Sequence, residues 1–152
     1  MHPYRTFLSM ILVASVLMFG LMYLNTYQTS HVWFSQTRLL MSFIMAGSMA
    51  LVMLAFMRHM YRNARYNLAI IVGSLMLIAG GLWLVRSQDT VGDVAWMKAM
   101  IPHHSIAILT SERAHISDTR VRNLADSIID TQRREIKEME MLIQDIQSQS
   151  AG

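Results

Sequence analysis

Three uncharged apolar runs constrain this chain more than any other feature. They are TFLSMILVASVLMFGLMYLN from Thr6 to Asn25, LLMSFIMAGSMALVMLAFM from Leu39 to Met57 and NLAIIVGSLMLIAGGLWLV from Asn67 to Val85. A helix needs about 20 apolar residues to cross a hydrocarbon core about 30 Å thick, and each run has that length with no Asp, Glu, Lys or Arg. The expectation is an integral membrane domain over residues 1–86, with transmembrane helices at about 6–25, 39–57 and 67–85. The first run is longer than a signal-peptide core and no small-residue cleavage site follows it, so it reads as a retained anchor.

The arginines give this domain a direction. RHMYRNARY, between the second and third runs, carries Arg58, Arg62 and Arg65, whereas the loop between the first and second has only Arg38 at its edge. Positive loops face the cytoplasm, which puts RHMYRNARY and Arg5 on the cytoplasmic side. The segment after the third run is then extracytoplasmic, that is, periplasmic or extracellular in a bacterial inner or plasma membrane. Tyr23, Tyr27, Trp33, Tyr61, Tyr66 and Trp83 lie near run ends, where amphipathic rings favour the interface.

Charge changes abruptly after Arg86. Residues 1–88 hold six Arg and no acid, while 89–152 hold all ten acids and seven bases, so the second part is net negative despite a pI near 9.6. Basic-patch nucleic-acid binding has no support from such a distribution. There is no Cys, which leaves His, Met and carboxylates as the side chains for a transition metal.

Residues 87–152 read as an antiparallel αα-hairpin. Thr90 with Asp93 resembles a capping box, giving a first helix from about 91 to 115; Pro102 inside it predicts a kink or a restart. Ser117 or Asp118 caps a second helix from about 119 to 148, a stretch without Gly or Pro. At 100° per residue, Val121, Ala125, Ile128, Gln132, Glu135, Met139, Leu142 and Ile146 share one sector of the second helix. Asp93, Trp96, Met97, Met100, His103, His104, Ala107, Ser111 and Ala114 share one on the first. Met97, Met100 and His104, at i, i+3 and i+7, can point to one place.

MIPHH, residues 100–104, sets a thioether and two imidazoles within five residues. Soft thioethers select Cu(I) and imidazole takes copper in either oxidation state, so the residues suggest a copper site, with zinc gaining little from methionine. The competing reading is a polar seam in which His pairs with Glu and Gln to set helix packing.

The stretch DVAWMKAMIPHHSIAI from Asp93 to Ile108, with IIDTQRREIKEMEML from Ile128 to Leu142, resembles the domain-of-unknown-function family 305. The resemblance implies a ferritin-like helical bundle and, in some members, periplasmic copper binding through Met and His. It implies a shared site at Met100, His103, His104, Gln132, Glu135 and Met139.

A two-helix hairpin buries little core by itself, and pairing with a second copy would complete a four-helix bundle. The expectations are therefore an all-α protein, homodimeric through the hairpins and seated in a lipid bilayer. It would bind copper through Met100, His103 and His104, aided by Met97, Glu135 and Met139, and sequester or deliver the ion. The alternative is a metal-free membrane scaffold. No electron-donor motif supports an enzyme. Met41, Met45, Met49, Met53 and Met57 recur every four residues, but that spacing winds round the helix and the spans lack acids and Lys, so they read as apolar filling rather than a copper path. Gly47, Ser48, Gly73, Gly80 and Gly81 read as helix-contact positions, and His31 and His59 as solvated loop residues.

Overall fold

A computed structural model describes residues 2–150. Its regular elements are α1 (His2–Leu21), a 3-10 turn (Thr29–His31), α2 (Gln36–Phe56), α3 (Ala64–Ser87), α4 (Asp93–Arg113) and α5 (Thr119–Ser150). Among the described residues there is no strand. The chain divides into two compact units, one of residues 1–22 and 37–90, the other of residues 23–36 and 91–152. The α1–α2 loop thus clusters with α4 and α5.

In the first unit, α1, α2 and α3 are each long and apolar enough to cross a membrane. Asn63 starts α3, its side-chain oxygen accepting from the backbone N–H of Arg65 and Tyr66. Gln88 ends it in the left-handed conformation, at φ 58°. Close packing of α2 on α3 depends on two glycines: a Cβ on Gly47 would stand 2.8 Å from the Ser74 carbonyl oxygen, and one on Gly81 2.8 Å from Ile44 Cγ1. Gly73 and Gly80 differ from expectation, since a Cβ at either would meet nothing within 4 Å, and Ser48 is exposed. Phe7, Ala50, Leu54 and Tyr61 form the buried cluster here, with Tyr4 and Ile11 against it. Beyond Ile11, α1 leaves Leu12, Val13, Val16, Leu17 and Leu21 exposed.

In the second unit, α4 and α5 lie side by side with their contacts in opposite chain order. His104 meets Glu135, Glu112 pairs with Arg133, and Arg122 donates to the Ser111 carbonyl at 3.0 Å. Asp118 caps α5, accepting from Arg120 N at 2.8 Å. The Arg120 side chain and then the backbone N–H groups of Arg120 and Val121 hold its carboxyl below the usual carboxylate range. At the start of α4 the cap is Gly92 rather than Thr90, and no side chain completes it; Asp93 still sits in the first turn, against the positive end of the helix dipole. α4 runs through the buried Pro102 as one helix and does not restart there.

The buried seam is rotated from the expected one. On α5 it comprises Ala125, Ile129, Ile136, Met139 and Ile143, with Gln132 and Ile146 half-buried, a strict alternation of four- and three-residue steps. Val121, Ile128 and Leu142 are exposed instead. The sector drawn at 100° per residue straddles two apolar stripes one residue apart, and α4 covers only one. On α4 the buried side is Met97, Ile101, Ser105 and Ile108, while Trp96 is 51% exposed. Tyr27 and Trp33 from the α1–α2 loop pack on this core, which explains the rotation: α4 serves the loop as well as α5.

Candidate metal centre

His104 and Glu135 meet because α4 and α5 are antiparallel and both residues lie at the margin of the seam. The His104 side chain is 15% exposed and Glu135 43%. His104 Nδ1 is 3.0 Å from the carbonyl oxygen of Met100, one turn earlier. That oxygen can only accept, so Nδ1 carries the hydrogen and donates. Nε2 lies 2.9 Å from Glu135 Oε2. A neutral ring would then aim a lone pair at a carboxylate, and two acceptors do not rest at that distance without a cation between them. A second proton on the ring satisfies the geometry as an ion pair; a metal ion taking both atoms as donors satisfies it equally. An imidazole whose other nitrogen donates to a backbone carbonyl is the usual form of a metal-bound histidine.

The remaining expected residues are distributed unequally. Met100 is half-buried, packed against the core and one turn before His104, so both lie on the same helix face. His103 is exposed, its ring centroid 6.1 Å from that of His104 and the planes inclined at 63°. Consecutive residues on a helix point about 100° apart, and the two imidazoles diverge accordingly. Met97 and Met139 are in the apolar core with Ile101, Ile136 and Ile143. Gln132 is half-buried on the seam one turn before Glu135. Among the described residues, no three His, Cys, Asp or Glu side chains gather into a metal-binding group. A metal ion at this contact would find His104 and Glu135 as donors, with Met100 one turn before His104 on the same face of α4.

On the other side of α4 lies a polar network that includes His31, expected from its loop position to be solvated. The buried Ser105 hydroxyl accepts from Tyr27 N at 2.6 Å and stands 3.0 Å from His31 Nδ1. Burial lowers the His31 pKa below its ordinary value, and the nearby Glu140 carboxylate opposes part of that shift. Beside it a cavity of about 300 Å³ is lined by His31, Arg133, Lys137 and Glu140 among others. Arg133 also lies over the Tyr27 ring, 5.9 Å from its centroid. The sequence carries one signal of this network: Ser105 falls between Ile101 and Ile108 on the apolar side of α4, where a hydroxyl needs a partner.

Residues 86–152 match the family described as Domain of unknown function (DUF305). Uncharacterized protein L153 of Acanthamoeba polyphaga mimivirus is 30% identical over 105 residues, which cover 68% of this chain and 67% of that protein. No solved structure matches the chain. The family match takes in all of α4 and α5, both sides of the His104–Glu135 contact, and with it this chain belongs to the DUF305 family.

Proposed function

We propose that the protein is a membrane-anchored, extracytoplasmic copper-binding module that sequesters or delivers the ion. The observation that carries this reading is the His104–Glu135 contact, with Nδ1 held by the Met100 carbonyl and Nε2 turned to a carboxylate 2.9 Å away. Imidazole and thioether on one face of α4 favour copper over zinc. His104, Glu135 and Met100 are the proposed donors. Met97 and Met139 act through packing, and His103 is a donor only to an ion shared with a second copy.

The topology supports the anchoring. With three spans, the α1–α2 loop and everything after α3 fall on the same side of a bilayer, and residues 23–36 and 91–152 form one compact unit. The arginine-rich Arg58–Arg65 loop favours the cytoplasm as the opposite side. The exposed second stripe of α5, with Val121, Leu124, Ile128 and Leu142, supports a homodimer in which two hairpins make a ferritin-like four-helix bundle. Native mass spectrometry in mild detergent that finds monomers alone would remove the dimer from this reading.

A metal-free scaffold is the second reading. It is favoured by the same contact with a proton in place of the ion, and by the burial of Met97 and Met139 in the core. Titration of the full chain in detergent with Cu(I), Cu(II) and Zn(II) separates the two. Copper binding by the wild type that is lost in His104→Ala, with helix content preserved, supports the first; a wild type that takes up no copper leaves the scaffold.

A further inference from the structure

In the first unit a groove of about 470 Å³ runs between α1 and the α2–α3 pair. It is lined by Leu8 and Ile11 of α1, Gly47 and Ala50 of α2, and Gly73 and Leu77 of α3. It exists because α1 touches its neighbours through Phe7 and Tyr4 and then leaves its apolar side chains exposed, while α3 offers Ala69 and Gly73 where larger residues would close the gap. On α3 the lining spans Tyr66 to Leu77, about 16 Å at 1.5 Å per residue. Half of a hydrocarbon core of about 30 Å is about 15 Å, so the groove has the depth of one leaflet.

One end of the groove is marked by Tyr4 and Tyr66, whose ring centroids are 5.0 Å apart. The Tyr4 hydroxyl is hydrogen-bonded to the Asn67 side chain at 2.9 Å and accepts from Asn63 N at 3.0 Å, fixing the start of α1 to the start of α3. Arg5, Arg62 and Arg65 lie within four residues of those tyrosines and are exposed. The first 88 residues contain no Asp or Glu, so within this segment no carboxylate can neutralise them. An apolar slot one leaflet deep, with exposed arginines close in sequence to the tyrosines that line one end of it, is complementary to an anionic phospholipid: acyl chain in the slot, phosphate on the arginines.

We infer that the α1–α2–α3 groove binds the acyl chain of an anionic phospholipid whose phosphate is held by Arg5, Arg62 and Arg65. The inference rests on the membrane reading of α1–α3 and is independent of copper. Native mass spectrometry of the full chain in mild detergent, with phosphatidylglycerol or phosphatidylcholine added, tests it. The wild type should retain phosphatidylglycerol at one per chain in preference to phosphatidylcholine. Gly73→Leu, at a position where an added Cβ meets nothing within 4 Å, should fill the slot and lower retention about tenfold while helix content is kept. Ala69→Phe serves the same purpose should Gly73→Leu fail to fold. Arg62→Gln with Arg65→Gln should abolish the preference for the anionic lipid. Retention unchanged in both groove variants, or no preference in the wild type, overturns the site while the chain remains membrane-bound; release of the chain from membranes by alkaline carbonate overturns the membrane reading and the site together.

Discussion

Ser105 and His31, 74 positions apart in sequence, meet at 3.0 Å, and the same hydroxyl accepts the Tyr27 backbone N–H at 2.6 Å. One small side chain on α4 therefore secures the α1–α2 loop to the helix. Ser105→Ala should leave the Tyr27 N–H without its partner in a part-buried setting. The expected loss is about 1–3 kcal/mol, read as a lower unfolding temperature of the full chain in detergent and faster amide exchange across residues 23–36.

Acid should loosen the same contact. Burial depresses the His31 pKa in the folded chain, so the unfolded chain binds its proton more readily. Stability from this group is complete above its unfolded value of about 6.5 and declines as pH falls from there towards the lower folded value. Denaturation midpoints measured downward from pH 7.5 should fall below pH about 6.5, and His31→Asn should flatten that part of the profile. An unchanged profile in the variant would assign the decline to another group.

Glu135→Gln separates proton from metal at His104. An amide can donate to Nε2 of a neutral ring, so helix pairing should persist with less than about 1 kcal/mol lost. Copper affinity of the full chain should fall by about tenfold or more, or about 1.4 kcal/mol, because a charged donor is gone. Isothermal titration of wild type and variant with the same copper complex provides the comparison, and equal affinities would exclude Glu135 as a donor.

Neighbouring residues on α5 should respond in opposite ways. Ile143 is fully buried and Leu142 is 45% exposed. Ile143→Ala should cost about 2–5 kcal/mol, whereas Leu142→Ala should cost little within one chain and act on self-association. Thermal unfolding and cross-linking read the two effects separately.

Glycines in α2 and α3 should divide likewise. Gly47→Ala places a methyl 2.8 Å from the Ser74 carbonyl oxygen, a backbone atom that can move only with α3, and about 1–3 kcal/mol should be lost. Gly80→Ala meets nothing within 4 Å and should be neutral or slightly stabilising. Unfolding in detergent should rank them so.

The three apolar helices of the first unit are legible because an unbroken apolar length is a property that survives without knowledge of neighbours. α5 was legible for a similar reason, as a long stretch without Gly or Pro behind Asp118. Its buried face was not: Ile128 and Ile129, or Leu142 and Ile143, offer equal apolar surface, and the choice was made by α4 and the docked loop. His104 and Glu135 each fall in the sector drawn for their helix and are grouped by the family resemblance, but the register that sets them 2.9 Å apart is a property of the packed pair. The outward turn of His103 follows from helix geometry, but sequence adjacency had grouped it with His104. Tyr27 and Trp33 looked like interface aromatics, since nothing local marks a loop residue for packing on a helix about 70 positions downstream.

The Tyr27–Ser105 hydrogen bond joins positions 78 residues apart. At about 5–20 residues per second, a ribosome takes roughly 4 to 16 s to add the second partner after the first. Through that interval α4 cannot supply the Ser105 hydroxyl to the Tyr27 N–H or its side of the core to the Trp33 ring, so this unit closes only after α4 has been made. A chain arrested before Ser105 would present the loop as a naked segment open to proteases and chaperones.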